Sequence, residues 1–358
     1  MEELYILQRE VGRGSYGVVF EGREKGAHGE RVAIKRLPCS SPECIQLYLQ
    51  ELWVMRTTAQ SHPNVIALHS CLAQTGPNTL QLLKPGRLPL DLVESALKGT
   101  VPAGQKHNTK STNSNLPRSR KRPAEQSVAE AIPRRCSALW LVMEYCEGGD
   151  LNNYILSQPP DTERNHSVIE QLSSAMAFLH GLGIVHRDLK PDNVLVQLSK
   201  MGPVIKVADF GLSKMTERLI EGDNTRPAFS STCGSDFYMA PEVWAGRNYT
   251  SQADIFSLGV LFWAVLERIT FLEDGCTHEQ LGAYFVRGRW LTPLGEALSQ
   301  NPALQLVIPM KGRRAPPLPP PPNAAVCTLL LHMLASDPDA RPSAHQLEGS
   351  LRHALRQG

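Results

Sequence analysis

The stretch HRDLKPDN, residues 186–193, decides the fold of this chain. It brings a histidine, an arginine, two aspartates, a lysine and an asparagine into eight positions. A stretch so polar is typical of a solvated loop, yet apolar runs flank it, GIV at 183–185 and VLVQL at 194–198. The pattern therefore predicts a loop that leaves a buried core, returns to it, and holds several charged and amide groups rigidly in one place.

Three side chains of this loop suit the transfer of a phosphoryl group. Asp188 can accept the proton of an attacking hydroxyl, Lys190 can neutralise the charge on the transferred group, and Asn193 can offer a neutral oxygen to a metal ion. Phosphoryl transfer depends mainly on positioning and charge compensation, so its groups must be crowded and preorganised. The alternative is an Asp/Asn-rich turn stabilised by its own side chains.

A glycine-rich stretch, VGRGSYGVV at 11–19, lies between two predicted strands. Glycine lets a hairpin backbone come close to a polyphosphate, with its N–H groups free to face the oxygens. A plain glycine turn is the alternative for this motif on its own. Because a strand follows it and not a helix, the pattern argues against a dinucleotide-binding βαβ unit and favours a flap over ATP.

Two further motifs supply a cation and a metal ligand. In VAIK at 32–35, Lys35 ends an apolar strand and could simply cap it at the surface. Glu51, however, lies on the apolar flank of the next predicted helix, where a lone carboxylate is costly and a lysine would compensate it. The pair could hold the lysine against the α- and β-phosphates. Asp209, in ADFG after the apolar strand VIKV, suits Mg²⁺ as a hard oxygen ligand, although DFG alone is a common turn sequence.

The first part of the chain predicts a small antiparallel sheet and one helix. Strands are expected at 4–11, 17–22, 31–37, 64–69 and 138–145, with a helix near 45–59. The last two strands should be neighbours, so residues 75–137 are interpreted as an insertion. Within it, 88–99 has the spacing of a docked helix, whereas the polar stretch 105–126 is expected to be disordered.

After residue 146 the pattern becomes helical. Helices are predicted at 166–183, where Gly181 is placed to end the helix, and at 253–268. Residues 311–323 form a proline-rich spacer, and 325–334 begin a closing helix.

The composition is that of an ordinary folded protein, with 42% hydrophobic and 20% charged residues in 358 positions. The start MEELYILQRE lacks an apolar signal core, so no secretory signal is expected. The longest apolar run, 255–266, is shorter than a membrane span. Eight cysteines without a CxxC pair favour a reducing compartment and no zinc site. Net charge is +2, yet segment 98–135 carries nine Lys/Arg against two acidic residues.

Taken in order and spacing, GRGSYGVV, VAIK, HRDLKPDN, DFG and APE (240–242) resemble a eukaryotic protein kinase. The resemblance covers the chain except 75–137 and about 300–323. It implies an α+β bilobal fold, with a small antiparallel-sheet N-lobe plus one helix at 1–145 and a larger, mainly helical C-lobe at 146–358. It also implies ATP and Mg²⁺ in the cleft between the lobes, with protein substrates.

The resemblance implies roles for individual residues. The catalytic residues are Lys35, Glu51, Asp188 and Lys190, and the metal ligands are Asn193 and Asp209. Met143 is the gatekeeper, Asp254 braces the catalytic loop, Glu242 pairs with Arg341, and Met55, His186 and Phe210 stack as an internal spine. The implied ATP-binding residues are Val11, Gly12, Arg13, Gly14, Ser15, Tyr16, Gly17, Val19, Ala33, Lys35, Glu144, Cys146 and Leu195.

The lysine of HRDLKPDN resembles serine/threonine kinases, and Ser235 stands where most of them have threonine. DFYMAPEVW, AVLERITF and the long N-lobe insertion look most like the kinases named for interacting with PDZ–LIM cytoskeletal proteins, the CLIK group. Arg187 beside the catalytic aspartate resembles kinases that bind a phosphate on the activation segment (209–242), where Ser231 and Thr232 are candidates. A Ser/Thr-rich loop without phosphorylation is the alternative. Asp150 is expected to face either ribose or a basic residue of the substrate.

Two motifs lie outside the catalytic pattern. RSRKRP at 118–123 is either solvated charge or a nuclear import signal, which favours the nucleus, with or without the cytoplasm. RRAPPLPP at 313–320 is either a stiff spacer or a ligand for SH3-type grooves. No aromatic residues lie near the basic run, so nucleic-acid binding is not expected. The rival functions are a nucleotide-binding pseudokinase scaffold and a nucleic-acid adaptor that uses the basic segment.

Overall fold

The computed structural model describes residues 4–14, 17–25, 29–39, 42–58, 61–74, 80–83, 138–215, 236–272, 277–287, 290–309 and 318–357. Several sequence predictions lie outside these residues and stay predictions: the docked helix at 88–99, the disorder at 105–126, the basic run 118–123, the first half of the proline motif, and Ser15, Tyr16, Ser231, Thr232 and Ser235.

The described residues of the N-terminal part form one sheet and one helix. The elements are β1 Tyr5–Gly14, β2 Gly17–Glu24, β3 Arg31–Pro38, α1 Pro42–Thr58, β4 Leu68–Gln74, β5 Leu80–Leu83 and β6 Ala138–Glu144. All strand pairs in the sheet are antiparallel, and their order is β1-β2-β3-β6-β4-β5. The predicted small antiparallel sheet is confirmed, and α1 is the helix that these described residues add to it.

The fourth strand lies later in the chain than the sequence predicts. The prediction of 64–69 is wrong, because β4 begins at Leu68 and continues to Gln74. Val65 and Ile66 are buried, but Val65 makes only an isolated bridge to Val207 outside the sheet. The predicted insertion 75–137 is also too wide at its start, since residues 80–83 form β5 and pair with β4.

The C-terminal part is mainly helical, and its short strands pair in twos. Its described elements are α2 Leu151–Ser157, α3 Thr162–Gly181, β7 Ile184–Val185, β8 Val194–Ser199, β9 Gly202–Val207, β10 Lys214–Met215, α4 Pro241–Trp244, α5 Gln252–Glu267, β11 Thr270–Phe271, β12 Gln280–Leu281, β13 Tyr284–Arg287, β14 Trp290–Pro293, α6 Leu294–Gln300, α7 Ala324–Met333 and α8 Ala344–Arg356. β7 pairs with β10, β8 with β9, β11 with β12 and β13 with β14.

One apolar cluster joins the two parts. It runs from α1, through β4 and β6, to α3 and to α5, which is buried on nearly all sides as its apolar sequence predicts. Strand alternation divides the sheet: Val32 and Ile34 belong to a smaller cluster, whereas Ala33 and Lys35 point to the opposite face. The α+β, two-part architecture expected from the sequence is therefore confirmed. None of the helices in the described ranges combines the length and apolar character needed to cross a bilayer.

Candidate active site

The loop 186–193 is held from below by a buried carboxylate. Asp254, in the first turn of α5, accepts hydrogen bonds from the backbone N–H of His186 (2.8 Å) and of Arg187 (2.8 Å). Nε2 of His180 lies 2.9 Å from the same carboxylate. Arg187 adopts a left-handed backbone conformation with φ of 71°, which a non-glycine residue holds only when its surroundings support it. Asp254 provides that support.

Within the loop, Asp188 is placed by two neighbours. Asn193 Nδ2 donates to the backbone oxygen of Asp188 (2.7 Å) and to its Oδ2 (2.9 Å). Nζ of Lys190 lies 3.3 Å from the same Oδ2. The structure thus brings together the three loop residues predicted from the sequence. Because the amide NH₂ of Asn193 faces Asp188, its Oδ1 is the atom that remains to face a cation.

The hairpin β8–β9 brings Asp209 next to this loop. Val194 pairs with Val207, and the next backbone contact is Ala208 N–H donating to Asn193 O at 2.9 Å. Asn193 and Asp209 therefore leave the same end of one hairpin. Asp209 has a left-handed φ of 59°, which turns its side chain away from the core, while Phe210 is fully buried with its ring centroid 5.4 Å from that of His186.

Lys35 connects the sheet to both Glu51 and Asp209. Its Nζ lies 2.7 Å from Glu51 Oε1 and 3.1 Å from Asp209 Oδ1. Burial alone would lower the pKa of Lys35, but the two carboxylates more than offset it, and the pKa lies above its ordinary value. Burial also opposes the charge of Asp209, yet Lys35 outweighs it and lowers the pKa of that carboxyl. Lys35 is therefore a cation and Asp209 an anion at neutral pH.

The glycine-rich stretch spans the end of β1 and the beginning of β2. Gly12 pairs with Val19 and Gly14 with Gly17. A Cβ at Gly17 would lie 2.4 Å from the backbone oxygen of Arg36, so only glycine fits this close approach to β3. Of the other predicted residues that the structure describes in this stretch, Val11 is exposed, and Arg13 donates to Glu10 at 2.9 and 2.8 Å.

The implied ATP-binding residues Ala33, Cys146 and Leu195 come from the sheet, from the segment after it and from the C-terminal part. Ala33 pairs with Met143 across β3 and β6, and Leu195 lies on β8, where it forms a bridge with Asp150. Asp150 itself caps α2 by accepting from Asn153 N–H at 2.8 Å, so its carboxylate already has a structural task. Cys146 follows β6, and burial raises the pKa of its thiol to about 12, so it is a neutral side chain.

The side chain of Glu144 has partners that the sequence does not indicate. Its Oε1 accepts from Ala67 N–H at 2.7 Å, and its Oε2 lies 2.9 Å from Nζ of Lys206 on β9. Its own backbone N–H donates to Ala67 O at 3.1 Å. These contacts fix the segment that leaves β6. One feature of the sequence does point to such a contact. Lys206 lies in an apolar strand two residues before ADFG, and a buried lysine there needs a carboxylate as its partner.

The site offers the ligands that a magnesium nucleotide needs. Asp209 Oδ2 and Asn193 Oδ1 are hard oxygens of the kind Mg²⁺ prefers, and the ammonium of Lys35 faces the same space. The side chain of Asp209 is 46% exposed although its neighbours are buried, so it opens into the cleft. The donor set fits a phosphate-bound Mg²⁺, which when bound would compensate charge on the phosphates.

Comparison with known proteins agrees with this geometry. A family model for the protein kinase domain matches residues 128–351, more than half of the chain. The chain belongs to the protein kinase family. A second model, for protein tyrosine and serine/threonine kinases, matches residues 5–119. The superfamily predicted from the motifs is therefore confirmed.

Two curated kinases illustrate the similarity. Serine/threonine-protein kinase atg1 of Dictyostelium discoideum is 37% identical over 129 residues, which cover 36% of this chain and 18% of that protein. Serine/threonine-protein kinase 33 of Mus musculus is 29% identical over 314 residues, which cover 84% of this chain and 50% of that protein. This kinase chain thus spans half or less of the length of these relatives.

Proposed function

We propose that this kinase is catalytically active and transfers the γ-phosphate of ATP to serine or threonine hydroxyls of proteins. The observation that carries the proposal is the double contact of Lys35 with Glu51 (2.7 Å) and Asp209 (3.1 Å). It aligns the phosphate-facing lysine with the carboxylate that suits Mg²⁺. The names of both relatives describe serine/threonine kinases, and Lys190 in the loop agrees with that class.

The proposed roles follow from charge and position. Lys35, held by Glu51, contacts the α- and β-phosphates, and the glycine-rich turn covers them. Asp188 accepts the proton of the substrate hydroxyl, since its carboxylate is fixed by Asn193 (2.9 Å). Lys190 compensates charge on the transferred group. Asn193 and Asp209 hold Mg²⁺.

The decisive experiment incubates the purified full chain with ATP, Mg²⁺ and an arrayed peptide library. We expect phosphate on serine or threonine peptides, and Asp188→Asn should reduce transfer by about 10²–10⁴-fold while nucleotide affinity changes little. Asp192→Asn, an exposed carboxylate on the same loop, is the matched control and should retain transfer. Transfer by Asp188→Asn equal to that of the unmodified chain would refute the role of Asp188.

A pseudokinase scaffold is the second candidate. It would bind nucleotide and recruit partners through residues 75–137 and the proline-rich stretch without transferring phosphate. Such proteins usually lack one of the three charged residues at positions 35, 188 and 209, whereas all three are present here. Nucleotide binding without any transfer in the peptide experiment would favour the scaffold.

Three finer assignments are also proposals. The motifs DFYMAPEVW and AVLERITF support membership of the CLIK group and a PDZ–LIM cytoskeletal partner. The basic run 118–123 supports nuclear import, which a reporter fused to residues 110–126 tests, because uniform distribution of the reporter would contradict it. The proline motif supports an SH3-type partner only in the register that begins at Arg314, since Pro319 of the other register is buried, whereas Pro320 is exposed.

A further inference from the structure

A cavity of about 220 Å³ lies in the C-terminal part, away from the ATP cleft. Its walls come from the first turns of α3, from the end of α5 at Leu266, and from the four consecutive prolines at 319–322 that lead into α7. None of the residues placed in the proposed active site lines it. The walls are therefore mostly apolar and include a rigid proline segment, as in many small-molecule sites.

One buried side-chain amide in this cavity has an oxygen that accepts no hydrogen bond from the described residues. Asn165 is 4% exposed and lines the cavity. Its Nδ2 donates to the backbone oxygen of Val265 at 3.1 Å, and because that oxygen only accepts, it fixes which end of the amide is NH₂. Oδ1 is then on the other side, and no donor from the described residues reaches it. A buried acceptor left this way is costly unless something donates to it.

The described residues that line the cavity carry no charge. Besides Asn165, its polar side chains are Thr162, His166 and Asn323. Asn323 is already used, since it caps α7 at Val326 N–H and donates to Ala354 O. Burial lowers the pKa of His166, so the imidazole is neutral at pH 7. None of the lining residues that the structure describes is a carboxylate, a lysine or an arginine, so a charged molecule would lose its hydration there without compensation from them.

Size narrows the class of ligand further. A dry apolar cavity of about 150 Å³ already admits benzene. The larger volume here has room for a two-ring heteroaromatic group. The apolar lining residues, Leu266 and the prolines at 319–322, supply the contacts that such a ring can make.

We propose that this cavity binds a compact, uncharged aromatic molecule through one N–H or O–H group that donates to Oδ1 of Asn165. The ring lies between the prolines at 319–322 and Leu266. Thr162, exposed at the mouth of the cavity, marks the entrance.

The test uses indole and indene as probes of equal shape, of which only indole has a donor. Both are titrated into the full chain by ligand-observed NMR, in the presence of a saturating non-hydrolysable ATP analogue that blocks the adenine site. We expect saturable binding of indole and at least about tenfold weaker binding of indene, because indene leaves the acceptor unmet. Equal affinities would overturn the proposal, as would no saturable binding of indole.

Variants locate the bound probe. Thr162→Phe fills the entrance and should abolish indole binding, whereas Glu163→Phe adds the same bulk to the next exposed residue, which does not line the cavity, and should leave binding unchanged. Circular dichroism and the thermal midpoint show whether both variants fold. Undiminished binding by a folded Thr162→Phe would place the probe elsewhere and reject the site. The indole–indene comparison decides independently, since it needs no variant.

Discussion

Lys35 and Glu51 form an ion pair with an Nζ–Oε1 distance of 2.7 Å, although one lies on β3 and the other on α1. The same ammonium lies 3.1 Å from Oδ1 of Asp209, which follows β9 in the other part of the chain. One cation thus joins a sheet, a helix and the loop that carries Asp209. The position of α1 is thereby coupled to the geometry of the cleft.

Glu51→Gln should lower kcat/KM for ATP about a hundredfold, or about 2.7 kcal/mol in transition-state stabilisation. The amide keeps the shape of the side chain but loses its charge. The ammonium of Lys35 is then attracted to Asp209 alone and leaves its position between the two carboxylates. Steady-state kinetics with varied ATP measures the effect. Thr57→Ala, an exposed change on the same helix, is the control, and unchanged kinetics for Glu51→Gln would show that the pair is not needed.

The pair of Glu144 and Lys206 predicts a change in nucleotide affinity. Both side chains are largely buried, at 14% and 10% exposure, with 2.9 Å between Nζ and Oε2. Lys206→Met leaves the carboxylate of Glu144 without its cation and loosens the segment after β6. We expect the KM for ATP to rise about fivefold, roughly 1 kcal/mol, with kcat nearly unchanged.

Two further variants test this interpretation of the segment after β6. Lys200→Met removes an exposed lysine from the turn between β8 and β9 and should change neither constant. Adding Glu144→Gln to Lys206→Met should recover part of the lost affinity, because the unpaired charge disappears. A double variant that is as impaired as the sum of the two single variants would contradict the coupling.

The sequence predicts the site better than the edges of the fold. Lys35, Glu51, Asp188, Asn193 and Asp209 are identifiable because each lies where an apolar pattern is interrupted by a group that needs a partner. Element boundaries are less determined by such local patterns. Only pairing with distant residues distinguishes β4 from the buried stretch before it.

Other features depend on contacts between distant positions. The left-handed backbone at Arg187 is stable because Asp254 accepts its N–H at 2.8 Å, and neither residue indicates this by itself. Arg268 likewise has φ of 53° at the end of α5, where its guanidinium donates to the backbone oxygens of Ile155, Leu156 and Gln158. Both left-handed conformations therefore depend on contacts that exist only in the complete fold, and the local sequence does not indicate them.

The buried pair of Glu242 and Arg341 predicts a loss of stability. Nη1 and Nη2 of Arg341 lie 2.7 and 2.8 Å from the two carboxylate oxygens. Arg341→Met leaves the buried carboxylate of Glu242 without its cation and should lower the free energy of unfolding by about 3–5 kcal/mol. Urea denaturation followed by tryptophan fluorescence measures it.

Two comparisons make this prediction specific. Arg352→Met breaks the exposed pair with Glu348 and should cost less than about 1 kcal/mol. The double variant Arg341→Met with Glu242→Leu should be more stable than Arg341→Met alone, since no buried charge remains. Equal effects of the buried and the exposed pair would show that burial is not decisive here.

The lowered pKa of Asp254 predicts how the stability of the fold depends on pH. Burial raises the pKa of this carboxyl, but the hydrogen bond and charge of His180, together with the backbone N–H of Arg187, outweigh it, so the pKa lies below its ordinary value. Such a group stabilises the fold fully above its unfolded pKa, about 3.9, and the stabilisation is lost as the pH falls through the lower folded pKa.

Asp254→Asn should therefore destabilise the protein at about pH 5 and above, and the difference from the unmodified chain should shrink below about pH 4. An amide also sets its NH₂ against the backbone N–H of His186 or Arg187, so the loop around Asp188 loosens and phosphoryl transfer falls at every pH. Urea midpoints across the pH range give the measurement. Asp161→Asn is the control, because asparagine replaces aspartate as an N-cap of α3 with little cost. If the difference in stability between the unmodified chain and Asp254→Asn instead grows as the pH falls below about 4, the pKa of Asp254 is raised in the folded state. The loop would then be held by the protonated side chain and not by the carboxylate.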